Sequence, residues 1–102
     1  MHRQALSNGG WIDRDTCRVW EEDKDFDGNN MISAATGSQW DHQQLLCTSQ
    51  GQWILDSWSQ WAGSVPTSVR IDAAAAAEWL VKNDYDETAA PELKEMIADL
   101  EA

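Results

Sequence analysis

Between Trp40 and Trp61 the chain reads WDHQQLLCTSQGQWILDSWSQW, two apolar runs separated by Ser-Gln-Gly. Gly51 can take the left-handed backbone that a tight connection needs. The runs are therefore expected to be the two strands of one antiparallel hairpin, 40–48 and 52–61. Side chains of one parity share one face of a strand. In the second run Trp53, Leu55 and Trp61 fall on one face with Ser57 and Ser59, while Ile54 and Trp58 fall on the other with Asp56 and Gln60. In the first run Trp40 and Leu46 oppose Leu45 and Cys47. Apolar groups on both faces make the hairpin central to a sheet, with helices on one side and a partial cover on the other. Trp53, Leu55 and Trp61 are expected to meet Trp79 and the C-terminal helix. Trp58 lies on the second face and is the single aromatic candidate for a partner contact.

The flanking segments fill in the class. WIDRDTCRVWEE, 11–22, alternates with apolar groups on both parities and reads as a strand. EEDKDFDGNN is a loop by its turn chemistry, and MISAATGS is a short strand or a single helical turn. TSVRI, after the break at AGSVP, is a further short strand. Asp72 then suits the N-cap of AAAAAEWLVK, because its carboxylate can accept from free first-turn amides. Alanine is the strongest helix former, so 73–82 is a helix with Ala76, Trp79 and Leu80 inward and Asn83 as its stop. Pro91 opens a second helix whose inner stripe is Leu93, Met96, Ile97 and Leu100. The expected fold is α+β: an antiparallel sheet of three to five strands followed by two C-terminal helices packed on it.

One domain is expected over 11–102, preceded by a flexible leader at 1–10, where MHRQALSNGG is polar and ends in glycines. Nothing there is apolar enough for a signal peptide, and no segment reaches the length of a membrane span. A cytoplasmic location is expected, with Cys17 and Cys47 as free thiols. Seven tryptophans in 102 residues argue for a packed interior rather than disorder.

Charge limits the partners. Eighteen acidic residues face seven basic ones, a formal net of −11. Such a chain is repelled by nucleic acids and anionic membranes, so any charged partner is a basic protein surface. The acids fall into two clusters. The first is Glu21, Glu22, Asp23, Asp25 and Asp27. The second is Asp84, Asp86, Glu87, Glu92, Glu95, Asp99 and Glu101. A rigid array of carboxylates can stand in for the regular charges of DNA before a Lys- and Arg-lined groove.

Within the first cluster, DKDFDG (23–28) resembles the opening of an EF-hand loop. Carboxylates at alternate positions and a turn glycine can wrap calcium, which nominates Asp23, Asp25 and Asp27 as ligands. The likeness ends there: Ala34 stands where the bidentate glutamate belongs, and Asn30 where an aliphatic residue belongs. WSQW (58–61) looks like the W-S-x-W element of thrombospondin type 1 repeats and cytokine receptors. Two cysteines and the absence of a secretion signal set it apart from those extracellular domains. Trp58 and Trp61 also point to opposite faces of a strand, which makes a poor sugar platform. His42 has Asp41 beside it, but strand neighbours face opposite ways and no nucleophile context surrounds either.

TGSQW, GQWILDSWSQWAGS and AAEWLVKN, spanning 36–83, resemble a group of small uncharacterised bacterial proteins that share a GQW/WSQWxGS/AxxWL pattern. That resemblance implies no activity and no site residue. In size and charge the chain is similar to small acidic inhibitors of the anti-CRISPR and anti-restriction type, which implies a DNA-mimic role. The expected function is a non-enzymatic acidic binding module, an inhibitor of a nucleic-acid-handling defence complex in its sharper form, with no cofactor. Its alternatives are a calcium-binding module on 23–28 and a small intracellular structural or regulatory domain.

Overall fold

The chain folds as α+β. In the computed structural model, which describes residues 1–102, eight strands precede two helices. The strands are β1 (Arg3–Ala5), β2 (Trp11–Asp13), β3 (Arg18–Glu21), β4 (Lys24–Phe26), β5 (Met31–Ser33), β6 (Asp41–Cys47), β7 (Trp53–Ser59) and β8 (Thr67–Ile71). The helices are α1 (Ala73–Lys82) and α2 (Lys94–Asp99), with single 3-10 turns at Arg14–Thr16 and Pro91–Leu93. The central sheet is antiparallel in the order β3-β6-β7-β8; β1-β2 and β4-β5 are separate two-stranded hairpins.

The expected hairpin is β6-β7, in a register that pairs Leu45 with Leu55 and His42 with Trp58. Gly51 closes it at φ +80, where a side chain would be strained. One face, carrying Leu45, Cys47 and Trp53 together with Trp20 of β3, packs on Ala76, Ala77, Trp79 and Leu80 of α1 and on Leu93 and Ile97. Trp20 and Trp53 meet with ring centroids 5.5 Å apart. Their polar neighbour Trp79 is satisfied by an indole bond to Gln43 Oε1 at 3.1 Å. Trp61 does not join this core as expected. The strand ends at Ser59, so the parity rule no longer applies two residues on. Trp61 is 60% exposed and packs instead against Trp40, with ring centroids 5.0 Å apart and planes tilted by 43°.

The opposite face corrects the expected leader. Arg3–Ala5 pairs with Trp11–Asp13, Leu6 and Ile12 bury against Leu46 and Ile54, and Ser7 and Asn8 bond to the outer edge of β8. Three-residue strands are too short to show a period, so their order arises from this long-range cover. The expected acidic loop contains a strand: β4 pairs with β5 around a turn at Asp27–Asn30, where Asp27 accepts from the amides of Asn29 and Asn30.

Both ends of α1 behave as the sequence implies. Asp72 accepts from the Ala75 amide at 2.8 Å, and Asn83, buried, donates to Trp79 O at 2.8 Å. Removing the cap in Asp72→Ala should cost about 1 kcal/mol, read as a lower urea midpoint with unchanged slope. In the second helical segment Leu93 and Ile97 are buried, but Met96 and Leu100 are exposed, because α2 stops at Asp99 and only the i, i+4 pair faces the core.

Candidate functional site

Beyond Leu46 and Ile54, the second face of the sheet turns polar. At mid-strand, Asp56 accepts from Arg14, Gln44 and Ser68, at 2.9, 2.8 and 2.6 Å. Further along β6-β7 lie His42 and Trp58, with ring centroids 5.9 Å apart and planes tilted by 33°. Trp58 is 37% exposed, the status that keeps it a contact candidate.

His42 does not pair with Asp41. Its partner is Glu22, just past the end of β3: His42 Nδ1 lies 2.7 Å from Glu22 Oε2. The other oxygen, Glu22 Oε1, accepts from the Gln43 amide at 2.7 Å and from Ser33 Oγ at 2.8 Å. Side-chain exposure is 10% for His42 and 5% for Glu22. Glu22 is therefore an interior structural carboxylate, which removes it from the expected partner-binding acids. A run of acids in sequence cannot mark the one whose donors arrive from β5 and β6.

Because a carboxylate accepts, a proton sits on Nδ1; in the neutral ring Nε2 is then left as a bare acceptor. Nε2 is closed off from solvent and has no hydrogen-bond partner. A buried polar atom without a partner ordinarily costs about 1–3 kcal/mol, which marks the position as unusual. The ring lines two depressions that share His42, Gln43 and Trp58. The first, about 270 Å³, is completed by Glu21, Glu22, Lys24, Gln44 and Gln60.

The remaining expected site residues stay on the surface. Glu21, Asp25, Asp27, Asp84, Asp86, Glu87, Glu92, Glu95 and Asp99 are exposed, and Asp23 is half-buried. Glu92 is held by Arg18, whose hydrogen bonds keep its carboxyl below the usual range. Asp86 is likewise lowered by bonds from Thr88. Three of the eighteen acidic side chains, Asp15, Asp56 and Glu92, pair with a cation, so most of the negative charge is uncompensated.

The structure joins the two acidic clusters. Asn83 Oδ1 accepts from the Asp23 amide at 3.0 Å, and Tyr85 Oη donates to Glu21 O at 2.8 Å. The turn 83–86 is thereby fastened to the start of β4, with Asp84 at φ +66. Tyr85 lies within this field: burial first, then Glu21 and Asp23, raises its phenol above the ordinary value.

The EF-hand reading is corrected. No three His, Cys, Asp or Glu side chains converge where they could hold a metal ion. Strand pairing of β4 extends the segment instead of wrapping it, and Asp27 is already occupied by its own turn amides. Both cysteines are free, Cys47 buried and Cys17 half-buried, with burial raising the Cys17 thiol. No helix is long and apolar enough to cross a membrane. In comparisons with protein-family models, curated proteins and solved structures, nothing matches this chain significantly.

Proposed function

We propose that the chain is a non-enzymatic binding module that docks its acidic surface on a Lys- and Arg-rich surface of a partner protein. The observation that supports this most is the tie between 21–23 and 83–85. It brings Glu21 and Asp23, which form no ion pair, beside the segment that carries Asp84 and Asp86, distant in sequence and likewise without one. The hydrogen bonds hold that arrangement in place before any partner arrives, which limits the ordering entropy of association. In the sharper form of the proposal, the partner surface is the nucleic-acid groove of a defence complex, and the protein inhibits by occupying it. A cytoplasmic site of action accords with two free thiols.

Such docking is steered by charge and screened by ions, so affinity should fall by about tenfold or more between 0.05 and 0.5 M salt. A pull-down partner titrated at both salts, with and without duplex DNA as competitor, measures this. The triple variant Asp25→Asn/Asp84→Asn/Glu87→Gln alters exposed side chains only. It should weaken binding while leaving the melting temperature within a few degrees. Salt-independent binding, or binding indifferent to the triple variant, overturns the proposal.

A further inference from the structure

We propose that the cavity between Glu21 and Trp58 is a guanidinium site that receives one arginine side chain of the docking partner, an inference that rests on the docking reading for the source of that arginine. Its free polar groups are mostly acceptors. His42 Nε2 has no partner and, in the neutral ring with Nδ1 donating to Glu22, offers a lone pair. Gln44 must turn its amide nitrogen to the Asp56 carboxylate, 2.8 Å away, which leaves Oε1 without a bond. The Glu21 side chain has no ion pair, although it stands on the cavity wall. Gln60 supplies a further amide, and Lys24 is the one cation lining the space.

An assembly of acceptors beside a carboxylate and an indole face selects its ligand by chemistry. Anions are repelled by Glu21. A polyol carries no charge to offset Glu21. A guanidinium offers five donors, no acceptor, and a flat face that stacks on tryptophan. Lysine would bring charge without the planar fork. At roughly 30 Å³ per water the space would hold about nine, which suits a guanidinium and its adjoining methylenes rather than a folded peptide. Nε2 is closed to solvent in the free protein, so the proposal requires Trp58, whose ring centroid is 5.9 Å from that of His42, to shift and admit the ligand. The arriving N–H then takes the acceptor that the free protein leaves unpaired.

The test is an NMR titration of the full chain with N-acetyl-arginine amide, following the Trp58 indole N–H and the His42 ring. Saturable shifts at both are expected. The neutral isostere N-acetyl-citrulline amide should bind about tenfold more weakly, and Glu21→Gln or Trp58→Ala should each weaken the arginine probe to a similar degree. Both substitutions are at exposed side chains, so the fold should persist, as the remaining amide spectrum would show. Lys24→Met, by removing the competing cation, should tighten binding. Equal binding of the citrulline or lysine amide, no saturable shift, or shifts unmoved by both variants would each overturn the site. If the partner binds with steep salt dependence but the arginine probe does not shift Trp58, the cavity proposal fails and docking stands. The opposite pair of results overturns docking and leaves the cavity.

Discussion

Glu22→Ala should destabilise the protein by about 3–5 kcal/mol, whereas Glu21→Ala, one residue away, should change stability by less than about 0.5 kcal/mol. The two glutamates are chemically identical and adjacent, and only their surroundings differ. Glu22 accepts from the His42 ring, the Gln43 amide and the Ser33 hydroxyl, with its side chain only 5% exposed. Truncation leaves these donors without a carboxylate, and water entering from the cavity does not restore its charge. For a domain of about this size each kcal/mol shifts the melting temperature by roughly 4–8 °C, so a loss of at least about 12 °C is expected. Glu22→Gln should fall between, since its carbonyl can still accept on one side. Urea midpoints for the three variants settle the matter, and matching midpoints for the two alanine variants would refute an interior role for Glu22.

The contrast shows where local pattern carries information and where it does not. The β6-β7 hairpin and α1 are legible because their signals are local: Gly51 between two apolar runs, Asp72 before five alanines, Ala76, Trp79 and Leu80 at helical spacing. Parity within β7 also assigned Trp53 and Leu55 to the helix side, and Ile54 and Trp58 to the other. It misplaced Trp61 because parity holds only while the strand does, and Ser59 ends it. The N-terminal hairpin was missed for a related reason. MHRQALSNGG has one sizeable apolar group in its interior, Leu6, and that residue is ordered by Leu46 and Ile54, forty and more positions away.

The candidate site divides in the same way. Trp58 could be singled out from strand alternation alone, and the two acidic clusters from charge counting. The His42–Glu22 pair could not. Strand alternation excludes Asp41, which the pleat turns away, but names no partner in its place; that partner comes from a different strand end. The one available signal was a lone histidine on the face shared with Trp58, with no acid on that face of its own strand. Conversely, the aspartate spacing in DKDFDG suggested ion binding because a ligand loop and a strand with alternate acids read alike. Pairing with Met31–Ser33 decides between them.

Asp56→Ala should produce a loss of about 3–5 kcal/mol, accompanied by release of the N-terminal hairpin. Asp56 stands where the second face passes from apolar to polar. Arg14 reaches it from the turn after β2, and the same guanidinium bonds Gln4 Oε1 of β1 at 2.7 Å. Gln4 in turn donates to Ser68 Oγ at 2.8 Å, and Ser68 donates back to Asp56. One carboxylate thus closes a ring of bonds joining β1, β6, β7 and β8, and its removal leaves Arg14 as a half-buried cation with no counter-charge. Hydrogen exchange should show the amides of 3–6 and 11–13 opening well before those of β6 and β7. Asp56→Asn should retain part of this ring: with Nδ2 donating to the Ser68 hydroxyl, Oδ1 still accepts from Arg14 and Gln44, but Arg14 loses its counter-charge. The acid response supplies a second readout. Burial opposes ionisation of Asp56, but the bonds from Arg14, Ser68 and Gln44 outweigh it and hold the carboxyl below its ordinary value. A depressed folded pKa means that this stabilisation is complete above the unfolded value, about 3.9, and is lost as pH falls through the folded one. Urea midpoints measured from pH 7 down to pH 2 should therefore fall less steeply below pH 4 for Asp56→Asn than for the parent chain. The remaining slope comes from exposed acids such as Glu92 and Asp86, which both proteins share. An unchanged acid slope would mean that Asp56 is as easily protonated folded as unfolded, and that the ring of bonds does not hold its charge.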